Sequence, residues 1–139
     1  MPRVGQETPE FTVRDLAGRV QGSAPRLGRP VLLAFFSSAD PRSVARVSDL
    51  LAAWTAGGWS VENALLFAVD ADATRLRKFA ATKRWRGPII PCSGAFLEPV
   101  LLQFHVQAIP DAFLIGPDGV LLQRSPRPGA LRRALDLLR

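Results

Sequence analysis

Asp40, Ser43, Cys92 and His105 are the residues of this sequence whose types could do chemistry. Asp40 and Ser43 stand three apart in "SSADPRSV". A nucleophilic serine needs a base within hydrogen-bond reach and an acid to orient that base. Ser43, His105 and Asp40 supply the three types, but no nucleophile-elbow sequence surrounds Ser43. The simpler role for Asp40 is to cap a helix, with Pro41 at the first helical position. Cys92 is the sole cysteine and His105 the sole histidine. That excludes an intrachain disulfide, a cysteine-rich metal site and a multi-histidine site. Cys92, in "IIPCSG", has no cationic neighbour in sequence to favour the thiolate. It reads as a small, partly buried side chain. The alternative is a displaced reactive thiol, which a thiol from another molecule would have to resolve. Nothing in the sequence points to a cofactor.

The elements that must position these residues follow from patterning. The chain has 139 residues, which fits one domain spanning 1–139. Residues 11–13 form a short apolar stretch, followed by a turn at "DLAG". Val31–Phe36 is an unbroken apolar run, which predicts a strand covered on both faces. Val44, Val47, Leu50, Leu51 and Trp54 then recur at helical spacing, and Gly57-Gly58 ends that helix. Residues 63–70 predict a second buried strand. Asp72 predicts the cap of a second helix with Leu76, Phe79 and Ala80 inward. Residues 88–90 are a third extended piece, and Pro99 opens a helix carrying Val100, Leu101 and Phe104. Residues 111–123 form a hairpin around Gly116-Pro117-Asp118-Gly119. Leu131, Ala134, Leu135 and Leu138 mark the apolar side of a last helix. The order predicts an α/β fold: a mixed sheet, helices on both faces, right-handed crossovers.

Composition narrows the function classes. The formal net charge is +6, and all basic residues but Lys78 and Lys83 are arginine. The densest basic run spans residues 75–86, with Trp85 inside it. Without a nucleic-acid motif beside it, this run reads as a solvated helix face and its exit loop rather than a nucleic-acid surface. No apolar run approaches the roughly 20 residues of a membrane span, so no transmembrane segment is expected. Met1 leads straight into a polar turn, which as written points to the cytoplasm. An export leader trimmed from ahead of it would place the protein outside the cytoplasm of a bacterium. Asn and Met each occur once, a scarcity met in thermophilic proteins.

Three motifs, in matching order over nearly the whole chain, resemble one family. "VGQETPEFTVRDLAG" is similar to the opening of thioredoxin-like proteins of the TlpA type. "RPVLLAFFSSAD" resembles their "kpvlvnFWAsWC", and "FHVQAIPDAFLIGPDGVL" their "YgVrgiPttflIDpdG.i". Alkyl hydroperoxide reductase and thiol-specific antioxidant proteins share the architecture. The resemblance implies a thioredoxin-like fold with an N-terminal extension and thiol–disulfide exchange at a C-x-x-C motif opening the first long helix. It also implies a cis-proline facing that motif, matched here by Pro110.

The active-site motif itself departs. Alignment on Phe35 places the two cysteine positions at Asp40 and Ser43. A peroxiredoxin-type alignment would put its peroxidatic cysteine near Ser43 or Val44, where there is no thiol either. Thiol–disulfide exchange needs a thiolate and a second thiol to resolve the mixed disulfide. A carboxylate and a serine hydroxyl do neither, so dithiol activity is expected to be absent. What the resemblance leaves is a groove at Arg42, Ala108, Ile109 and Pro110, with Asp111 beside it. In the family, the backbone before the cis-proline pairs with an extended peptide, and strand addition needs no cysteine. The expected partner is thus an extended peptide or protein segment. Arg42 reads either as a contact for an acidic partner or as a solvated charge, and Pro110 either as part of a groove or as a shaper of the turn.

Overall fold

A computed structural model describes residues 3–23, 28–69, 73–92 and 99–138. The seven strands are β1 (Thr12–Arg14), β2 (Val20–Gly22), β3 (Val31–Phe36), β4 (Ala64–Ala68), β5 (Ile89–Pro91), β6 (Asp111–Ile115) and β7 (Leu121–Arg124). The four α-helices are α1 (Pro41–Ala56), α2 (Ala73–Lys83), α3 (Pro99–Gln103) and α4 (Pro128–Leu137). Five strands form one mixed sheet in the order β5-β4-β3-β6-β7. β3 is central, parallel to β4 and antiparallel to β6. All six of its residues are buried, as a strand covered on both faces requires.

The alternation of β3 splits the core in two. Leu32, Ala34 and Phe36 face a cluster with Val47, Leu50 and Trp54 of α1, Leu76 of α2, and Leu131 and Leu135 of α4. Val31, Leu33 and Phe35 face the other cluster, with Phe11, Phe67, Cys92, and Val100 and Phe104 of α3. Two right-handed crossovers that both step toward the β5 edge place their helices on one face, hence α1 and α2 together.

Several boundaries differ from the sequence reading. The second buried strand is Ala64–Ala68, because Asn63 belongs to a 3-10 turn, Val61–Asn63, whose Ser60 side chain accepts from the Glu62 amide. The third extended piece is shifted by one residue, to Ile89–Pro91. β2 has no apolar run to announce it. It exists because its backbone pairs with β1 around the Asp15 turn, where Oδ1 of Asp15 accepts the amides of Ala17 and Arg19, both at 2.9 Å. Asp70 and Asp72, the expected strand end and helix cap, lie outside the described residues.

Candidate functional site at the tip of α1

β3 delivers the chain into Ser37-Ser38-Ala39-Asp40, where α1 begins. Asp40 is the N-cap: its backbone is extended and its Oδ1 accepts the Arg42 amide at 3.1 Å. Pro41 opens the first turn, where a missing N–H costs nothing. Ser43 is 0% exposed. Its Oγ accepts from the Ser37 amide at 3.0 Å, with the Ser37 and Asp40 carbonyls at 2.9 and 3.0 Å as acceptors for its single proton. The hydroxyl therefore stitches the end of β3 to the first turn of α1. The helical stripe carries a signal for this, because Ser43 precedes Val47 by four residues and Leu50 by seven.

The register of the sheet brings the loop before β6 to the same end. Phe35 pairs with Asp111, so Pro110 leaves the sheet beside Phe36 and the loop that reaches Asp40. The Ile109–Pro110 peptide bond is cis. Ala108 and Pro110 are exposed, while Ile109 is half-buried against the α3-side cluster. Among the described residues, no hydrogen bond engages the backbone of Ala108 or Ile109. A depression of about 160 Å³ lies between this loop and α1, lined by Arg46, Leu50, Pro110, Asp111, Ser125 and Arg127 among others.

Arg42 is exposed and does not line that depression; Arg46, one turn further along α1, does. The sequence reading missed Arg46, Ser125 and Arg127. Arg46 was signalled by its i, i+4 relation to Arg42. Ser125 was not signalled, because its role comes from chain pairing: its Oγ donates to Asp111 Oδ1 at 2.5 Å and its amide to the Ala112 carbonyl at 2.7 Å.

His105 terminates α3. Its backbone is in the left-handed region at φ 51°, its amide reaches the Leu102 carbonyl at 3.2 Å, and its own carbonyl accepts from Arg124 Nη2 at 3.3 Å. This is the conformation that favours glycine. Among the described residues, every bond to the Ser43 hydroxyl is with the backbone of Ser37 or Asp40, and no side chain stands as its base. Cys92 is 0% exposed and sits in the α3-side cluster, across the sheet from α1. Its amide is bonded to the Ala68 carbonyl at 2.8 Å, and its sulfur is 3.8 Å from the Ile90 carbonyl.

The basic run is exposed along α2 and its exit, while Trp85 is half-buried. Its ring packs edge-on against Phe36 and Phe79, with both centroid separations at 5.2 Å. Among the described residues, no three His, Cys, Asp or Glu side chains are grouped to hold a metal ion, and no helix is long and apolar enough to cross a membrane.

No protein-family model and no curated protein matches the sequence. Solved structures do match. The thioredoxin domain of a thiol-disulfide oxidoreductase from Bacteroides vulgatus superposes with a TM-score of 0.82 at 16% identity, covering 99% of this chain and 98% of that one. A thiol-disulfide oxidoreductase from Bacteroides fragilis gives 0.79 at 20% identity, covering 96% and 100%. A thiol:disulfide interchange protein of the thioredoxin family from Chlorobium tepidum gives 0.75 at 16% identity, covering 99% and 98%. With its mixed central sheet between two layers, the chain has the thioredoxin-like α/β fold.

Proposed function

We propose that this chain is a thioredoxin-fold protein that lacks the dithiol site of thiol-disulfide oxidoreductases and binds an extended peptide or protein segment beside Pro110. Ser43 carries the reading. A residue standing where thiol exchange would need sulfur is fully buried, and its hydroxyl is committed to the backbone on both sides. Such a group holds the helix tip in shape; it does not attack a substrate. The burial of Cys92 across the sheet supports the same reading over single-thiol chemistry, since an external thiol must reach the sulfur to resolve it.

The binding half of the proposal is supported by the open backbone of Ala108 and Ile109. An extended chain can pair with backbone N–H and C=O groups that have no partner within the fold. The test is a backbone-amide NMR titration with an unfolded, carboxamidomethylated polypeptide, which carries no free thiol. Shifts are expected at Ala108, Ile109, Asp111 and the first two turns of α1. Shifts confined to α2 and its basic exit, or none at all, would overturn the binding reading.

A further inference from the structure

The depression beside Pro110 is lined by more guanidinium groups than carboxylates. Arg46 and Arg127 both line it. Arg42 stands one turn before Arg46 on α1, and two guanidinium groups at that spacing repel each other. Among the described residues, no carboxylate lies within ion-pair distance of Arg42, Arg46 or Arg127. Among the described residues one carboxylate lines the depression, Asp111; its Oδ1 accepts the Ser125 hydroxyl at 2.5 Å and the Ala112 amide at 2.9 Å, and its charge offsets one of the two guanidinium groups and leaves the other. Leu50, Pro110 and Ala112 give the same hollow apolar walls. Its volume of about 160 Å³ is several times the roughly 30 Å³ that one liquid water occupies, which accommodates the head of an acidic side chain. Guanidinium groups recognise carboxylates through planar, charge-assisted hydrogen bonds, and weak hydration makes arginine the better choice over lysine for that contact.

We infer that the peptide bound beside Pro110 is acidic, with an aspartate or glutamate side chain seated between Arg46 and Arg127. This rests on the peptide-binding reading and adds the chemistry of the residue that the depression selects. It also separates a local site from the general attraction of a protein with net charge +6 for any anion.

The experiment uses three octapeptides of glycine, serine, threonine and valine, N-acylated with an uncharged BODIPY dye and C-amidated so that neither terminus nor label carries a charge. They carry aspartate, asparagine or lysine at the centre. Anisotropy titrations are expected to show the aspartate peptide binding about tenfold more tightly than the asparagine one, with the lysine peptide weakest. The double variant Arg46→Gln, Arg127→Gln should erase that order, while Arg75→Gln, Arg77→Gln should keep it; circular dichroism checks that both variants stay folded. Equal binding of the aspartate and asparagine peptides overturns the acidic preference and leaves the groove standing. Equal losses in the two double variants also overturn it, because the attraction is then global. Failure of all three peptides to bind at millimolar concentration removes the groove and this inference together.

Discussion

Ser43 and Ser37 are bonded in both directions: the Ser43 hydroxyl accepts the Ser37 amide at 3.0 Å and donates to the Ser37 carbonyl at 2.9 Å. Ser43→Ala leaves a buried amide without an acceptor. Such a loss costs about 1–3 kcal/mol. Urea denaturation is expected to show an unfolding free energy lowered by that amount and a correspondingly lower midpoint, with the far-ultraviolet spectrum of the native state kept. An unchanged midpoint would mean that this bond holds nothing together.

The first turn of α1 brings residues 40 and 43 together. Ser43 Oγ lies 3.0 Å from the Asp40 carbonyl, one helical turn back along the chain. The double variant Asp40→Cys, Ser43→Cys is expected to form an intrachain disulfide on mild oxidation. Titrated with Ellman's reagent in 6 M guanidinium chloride, the reduced protein should show three thiols and the oxidised protein one, that of the buried Cys92. Disulfide bridging needs Cα atoms within about 7 Å. If both new thiols stay reactive after oxidation, the motif alignment that places them is wrong.

Cys92 has no exposed surface. Thiol reagents reach such a group only through opening of the fold. In the native protein, Ellman's reagent is expected to react with less than one equivalent over minutes, and with one equivalent at once in 6 M guanidinium chloride. A fast stoichiometric reaction without denaturant would restore Cys92 as a redox candidate.

Gly87 sits where another backbone approaches. A Cβ there would stand 2.7 Å from the Ala64 carbonyl oxygen and 3.1 Å from that of Val61. Both are main-chain atoms, one at the start of β4 and one in the 3-10 turn before it, so neither can swing aside. Gly87→Ala is expected to destabilise by about 1–3 kcal/mol, the usual cost of overpacking, read as a lower thermal midpoint. A midpoint equal to that of the parent would show that the β4–β5 margin has room.

Much of this fold is legible because its signals are local. The six buried residues of β3, the Asp40 cap with Pro41, and the turn at Gly116-Pro117-Asp118-Gly119 are each set by a few consecutive residues. β2 is not legible in that way, since Val20–Gly22 becomes a strand only by pairing with β1. The site is half legible. Asp40, Ser43 and Pro110 can be found by motif order. The depression cannot, because Arg46, Ser125 and Arg127 meet there only once Phe35 is paired with Asp111. The burial of Ser43 was within reach: a serine on the apolar stripe of an amphipathic helix faces the core, and its hydroxyl must then find partners.

Insulin reduction by dithiothreitol reads out redox competence itself, since a protein active in thiol–disulfide exchange would speed precipitation of the insulin B chain. The rate with this protein is expected to equal that with dithiothreitol alone. Acceleration proportional to protein concentration, and abolished in the Cys92→Ser variant, would contradict it.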